Sequence, residues 1–154
     1  MIVSDSSILI ILFDLGKIDY LSNIFQKVYI PKAVYKEITH KKELNLPSFI
    51  EVTQIKDEKE LEIIKMLLDD GESEAILLAN ELKKPLLIDE KKGRKIAKNR
   101  DIKVMGLLGL LLLNYKKGYV KKDEILLFLK DALNSGYRIS KNLLKNFKKE
   151  LKCY

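Results

Sequence analysis

Two carboxylates stand in the same local setting. The apolar, β-favouring start Met1-Ile2-Val3-Ser4 stops at Asp5, and Ser6 and Ser7 lead into a second apolar run from Ile8. Pro85-Leu86-Leu87-Ile88 stops in the same way at Asp89. Each reads as a short buried strand that ends on an acid and gives way to a helix, the first capped by Ser6 or Ser7, or by Asp5 itself as the plainer reading of that acid. Ligands of an open parallel sheet sit just beyond the carboxyl ends of its strands. Neighbouring strands of this kind would turn both acids into one cleft.

Three glutamates can join them. Glu72 and Glu74 open a helix after Gly71, and Glu37 sits among Ala33, Val34 and Ile38. On a helical wheel Glu72 falls one turn before Ile76, near the middle of the stripe Ala75, Ile76, Leu78, Ala79 and Leu82. Glu74 falls nearer the rim, beside Glu81. The two glutamates point about 200° apart and cannot serve equally. Glu72 is the better placed, while Glu74 stays a candidate unless it only complements the helix dipole.

Clustered carboxylates repel one another and persist by taking up protons or cations. With one His and one Cys in the chain, the available ligands are oxygens, which suit Mg²⁺ or Mn²⁺ rather than zinc. Such ions activate water and stabilise the charge on a phosphodiester under attack. Lys91, Lys92, Arg94, Lys95 and Lys98 follow Asp89 directly and could grip the flanking phosphates. The competing reading of that run is a solvated helix face.

The bulk properties agree with a nucleic-acid partner. Formal net charge is +7 over 154 residues, the sign that favours a polyanion, although a lysine-rich surface also serves solubility alone. At 47% hydrophobic and 33% charged residues the chain reads as one folded domain. Cys153 has no partner for an internal disulfide, which suits a reducing cytoplasm. The apolar stretches Ile8 to Phe13 and Met105 to Leu113 are far shorter than the ~20 residues of a membrane span. No basic residue precedes the first of them, as a signal peptide would require.

The elements alternate. Strands are expected at the N-terminus, at Lys27 to Ile30, Phe49 to Ile55, Pro85 to Ile88 and Lys103 to Met105. Helical pieces are expected at Ile8 to Phe13 and Tyr20 to Phe25. Pro31 would take the first helical position of a helix to about His40. Asp57 opens a helix through Leu68, stopped by Asp69-Asp70-Gly71, and the next runs from Glu72 to about Leu82. Lys91 to Arg100, Leu107 to Tyr115 and Glu124 to Leu133 complete the series, with a last helix capped by Ser140. The pattern is that of a three-layer α/β/α sandwich on a mainly parallel sheet. A single domain spans 1–154, with the helices from about residue 121 packing on it.

Four segments in order resemble the acidic motifs of PIN domains. They are Asp5-Ser6-Ser7 after a first strand, Pro31-x-x-Val34-x-x-Glu37-Ile38, Gly71-Glu72-x-Glu74-Ala75-Ile76, and Leu86-Leu87-Ile88-Asp89-Glu90. With Gly136-Tyr137-Arg138-Ile139-Ser140, the chain is most similar to a prokaryotic subgroup of PIN-like proteins of unassigned role. The resemblance implies a Mg²⁺- or Mn²⁺-dependent endoribonuclease acting on single-stranded or structured RNA, often the toxin half of a toxin–antitoxin pair. Asp5, Glu37 and Asp89 match the first, second and fourth acids, and Ser6 the hydroxyl beside the first. The third, usually Asp, is here Glu72 or Glu74. Asp5, Glu72 and Asp89 are the metal ligands that it implies. Ser6, Lys91, Lys92, Arg94, Lys95 and Lys98 are the candidate nucleic-acid contacts.

The main rival is a nucleic-acid-binding protein that keeps this fold without catalysis. A receiver-type phosphotransfer module lacks its paired acids after the first strand, and a haloacid-dehalogenase-type phosphatase would need Asp where Ser7 stands. His40 is expected at an exposed helix end, away from the chemistry. The Leu107 to Leu113 run is core, or a homodimer seam as its second reading.

Overall fold

The computed structural model describes residues 1–152; Cys153 lies outside them. Strand β1 (Ile2–Ser4) is buried throughout. It pairs in parallel with β2 (Val28–Ile30) on one side and with β4 (Leu86–Leu87) on the other. A strand so enclosed has no solvent face, which is why its sequence is a run and not an alternation. β3 (Ile50–Val52) and β5 (Val104–Met105) take the two edges, giving an all-parallel sheet in the order β3-β2-β1-β4-β5. Helices cover both faces, so the domain is a three-layer α/β/α sandwich.

That strand order fixes where the site can be. The chain moves outward from β1 through β2 to β3, then crosses to the far side of β1 and continues outward through β4 to β5. The direction reverses between β1 and β4, so the segments leaving these strands diverge and open a crevice at their carboxyl ends. Val3 is level with Leu86 and Ser4 with Leu87, and the Asp5 N–H donates to the Leu87 carbonyl at 2.9 Å. Asp5 and Asp89 thus leave adjacent strands at one edge.

Helices α1 (Ser6–Asp14), α2 (Asp19–Ser22), α3 (Lys32–Thr39) and α4 (Glu58–Lys65) precede α5 (Asp70–Leu82), which lies along β1 and β4. Beside α5 runs α6 (Lys91–Asn99), while α7 (Leu107–Lys116) packs with α8 (Lys122–Asn134) and α9 (Lys141–Lys152). The Leu107 to Leu113 run is core at Leu107, Leu110 and Leu111. Buried Asn114 ties α7 down, its amide donating to the Tyr20 and Leu110 carbonyls at 2.9 Å each.

Several local expectations are corrected. Of the caps open for α1, Asp5 and not Ser6 or Ser7 occupies the position, and Pro31 is the N-cap of α3 and not its first residue. Asp69 caps α5 by accepting from the Glu72 N–H at 2.8 Å. The helix therefore starts at Asp70, before Gly71. A capping carboxylate outweighs one glycine's reluctance to be helical. The third strand covers only Ile50–Val52 of the longer run expected, and α4 ends at Lys65. No helix among the described residues is long and apolar enough to cross a membrane.

Candidate active site

Asp5 stands at the centre of the crevice. It is 3% exposed, and its Oδ1 has no hydrogen-bond partner. Although it occupies the N-cap of α1, its side chain makes no capping bond. Burial raises its pKa from 3.8 to about 7; the Ser6 backbone N–H opposes this, and the charges of Glu37, Asp69 and Glu90 reinforce it. Glu72 faces the same group. Burial, then the charges of Asp69, Asp5 and Glu90, raise its pKa from 4.5 to about 8.

Glu37 approaches from α3. Its carboxylate accepts from the Ser6 hydroxyl at 2.6 Å, and burial pushes its pKa up. Gly71 makes this approach possible, because a Cβ there would overlap Glu37 Oε1. Asp89 is held differently. Both its oxygens lie 3.2 Å from the Leu107 N–H at the start of α7, and Oδ2 also accepts from the Tyr137 hydroxyl. Gly106 leaves room for this contact, since a Cβ there would overlap Asp89 Oδ1. Two donors leave Asp89 with unused acceptor capacity.

Glu74 turns elsewhere. Its Oε1 accepts from the Ala33 N–H at 3.3 Å, satisfying the first turn of α3. Of the two glutamates, the structure therefore places Glu72 with Asp5 and Glu74 at a neighbouring helix start. Two further acids at this edge escape a reading of strand ends alone: Asp69, and Glu90, which caps α6 through the Lys92 and Gly93 N–H groups at 3.1 and 2.6 Å. Their signal was present, since each directly precedes a helix.

Beyond Asp89 opens a groove of about 1010 Å³, lined on one side by Lys91, Arg94, Lys95 and Lys98 and elsewhere by Met105, Leu108, Arg138 and Leu143. Arg94 also donates to the Ile88 carbonyl at 2.9 Å, reaching back to the strand end. Lys92 does not line this groove, and Ser6 is buried with its hydroxyl committed to Glu37. Exposed His40 closes α3 away from these groups.

A family model described as a PIN domain matches residues 1–153. The chain belongs to the PIN domain family. PIN domains are generally nucleases, and this chain has that nuclease-type fold. No curated protein matches it. Among the described residues no three Asp, Glu, His or Cys side chains converge tightly enough to cage a metal ion alone. A magnesium-type ion seldom needs such a cage, because it keeps several waters and takes one or two carboxylates. The unpartnered oxygen of Asp5 beside Glu72 fits that demand.

Two outcomes follow from this geometry. Asp5 and Glu72 hold protons more tightly when folded than at their ordinary values of 3.8 and 4.5. Their contribution to stability is therefore complete at the acid end and is lost as pH rises towards about 7 and about 8. With chelator present, the urea midpoint of the wild type should fall between about pH 5 and 8. Asp5→Asn should fall less and be the more stable protein at about pH 8. A steeper fall in the variant would show that Asp5 is compensated in some other way.

Gly71→Ala separates site from fold. The added methyl displaces only the flexible end of Glu37, while alanine favours the helix by about 1 kcal/mol. Stability should hold or rise, and any activity that depends on Glu37 should drop at least tenfold. Unchanged activity would mean that Glu37 is dispensable.

Proposed function

We propose that this PIN domain is a metal-dependent endoribonuclease. The observation that carries the reading is the buried, unpartnered carboxylate oxygen of Asp5 at the switch point, among acids that raise one another's proton affinity. Such a group is costly when empty and is relieved by a cation.

Asp5 and Glu72 would hold the ion, Mg²⁺ or Mn²⁺, and Asp89 stands at the adjacent strand end as a further carboxylate. The ion supplies a lowered water pKa and a counter-charge for the phosphate under attack. Glu37, fixed by Ser6, keeps an acceptor at the crevice that can orient water or take its proton. Lys91, Arg94, Lys95 and Lys98 hold the phosphates on the Asp89 side. The basic surface and acidic centre are thus complementary, one binding the backbone and the other acting on it. An antitoxin partner belongs to this reading through the PIN family alone.

Asp5→Asn and Asp89→Asn should each abolish divalent-dependent cleavage of a single-stranded RNA while leaving the fold intact. Glu72→Gln should lose more single-turnover activity and more Mn²⁺ affinity than Glu74→Gln, whose side chain serves α3. Wild-type cleavage that survives exhaustive chelation would overturn the metal requirement. Glu74→Gln as the inactive member of the pair would move the third acid. RNA bound but never cut by the wild type would instead favour the non-catalytic binding protein.

The lysines give a separate readout. Replacing Lys91, Lys95 and Lys98 with Gln should weaken RNA binding for all sequences and flatten its salt dependence by roughly 0.7 log units per lost phosphate contact. An unchanged slope would return α6 to a solvated face.

A further inference from the structure

The turn between α8 and α9 reaches the crevice from a distant part of the chain. Helix α8 ends with Gly136 at φ +94°. The Gly136 N–H donates to the Leu133 carbonyl at 3.1 Å and the Tyr137 N–H to the Ala132 carbonyl at 3.0 Å. This pair of bonds around a left-handed glycine reverses the chain sharply and fixes the direction of the next residue. Ser140 then starts α9 by accepting from the Leu143 N–H at 3.2 Å. Four residues, 136–139, are thus clamped between two helix ends.

Tyr137 is the residue so directed. Its ring packs against the core, its hydroxyl donates to Asp89 Oδ2, and Ser7 lies beside the same phenol. Ser7 belongs to the first turn after β1, and Asp89 follows β4. One phenol oxygen therefore spans the two sides of the switch point. Arg138, the next residue, is exposed and lines the same groove as the lysines of α6.

We infer that this turn is a working part of the site, Tyr137 positioning the Asp89 carboxylate and Arg138 supplying a phosphate contact in the groove that the α6 lysines line. The inference rests on the nuclease reading and adds to it two residues outside the four acidic motifs. A carboxylate anchored only by the Leu107 N–H could still rotate. The Tyr137 hydroxyl removes that freedom, and misplacement by about 1 Å is enough to cost ~10²-fold in rate.

The test uses the full chain. Tyr137→Phe keeps the ring in its apolar seat and deletes the donor. Its kcat for a single-stranded RNA should fall at least tenfold with KM within about twofold, whereas a purely packing role would leave kcat unchanged. Its shift in urea midpoint should shrink on an Asp89→Ala background; an equal shift in both backgrounds shows that the two side chains are not coupled. Arg138→Gln should weaken RNA binding in EDTA and flatten the salt slope by roughly 0.7 log units; wild-type slope removes Arg138 from the groove's function. If the wild type does not cleave RNA, the nuclease reading falls. The coupling and salt measurements then still decide whether the turn holds Asp89 and binds the strand.

Discussion

A carboxylate that leaves water must be given something in exchange. At the β1–β4 edge most of the acids receive backbone N–H groups. Asp69 takes one from α5, Glu90 two from α6, Asp89 one from α7 and Glu74 one from α3. Each of these acids sits at the positive end of a helix dipole, where negative charge is favoured. Asp5 is buried deepest and keeps one oxygen without a partner. The surrounding caps hold four helix starts in place around it, so the architecture of the edge amounts to a compensated ring with an uncompensated centre.

The same edge shows how close approach is arranged. Gly71 gives way to Glu37, Gly93 stands within reach of Glu90 and Glu72, and Gly106 gives way to Asp89. None of these glycines has a left-handed backbone. At Gly71 and Gly106 a carboxylate occupies the space where a Cβ would be, and at Gly93 the end of the Ile88 side chain does. Space and hydrogen bonding are therefore allotted together: small residues admit the acids, and backbone amides donate to most of them. Outside this ring the cations of α6 line the groove leading away, so the +7 surface is brought up to the acidic centre without neutralising it.

Much of this was legible in the sequence, for identifiable reasons. Strands enclosed on both sides must be apolar throughout, so Ile2-Val3 and Leu86-Leu87 announced themselves, and the acids that end them stood out. The wheel position of Glu72 pointed it towards the sheet, and Glu74 lies where a rim residue can reach another helix. What could not be read depends on tertiary contacts. Ser6 looked like a cap, but its hydroxyl goes to Glu37 on α3. Gly71 looked like a helix stop until the Asp69 cap carried the helix past it. Tyr137 is 48 residues from Asp89, and no local pattern marks an aromatic residue that will turn towards a distant carboxylate.

The order in which these groups appear along the chain has a consequence for its synthesis. β1 precedes the other elements of this domain, yet one of its two neighbours, β4, comes more than eighty residues later, and the anchors of Asp89 come from Leu107 and Tyr137. A nascent chain emerging from the ribosome thus holds Asp5, Glu37 and Glu72 long before it can close the edge on which they meet. Sheet pairing of such wide sequence separation forms late. The crevice is completed only when the α8–α9 turn has been made, so the growing chain carries its acids for most of its synthesis without a finished site.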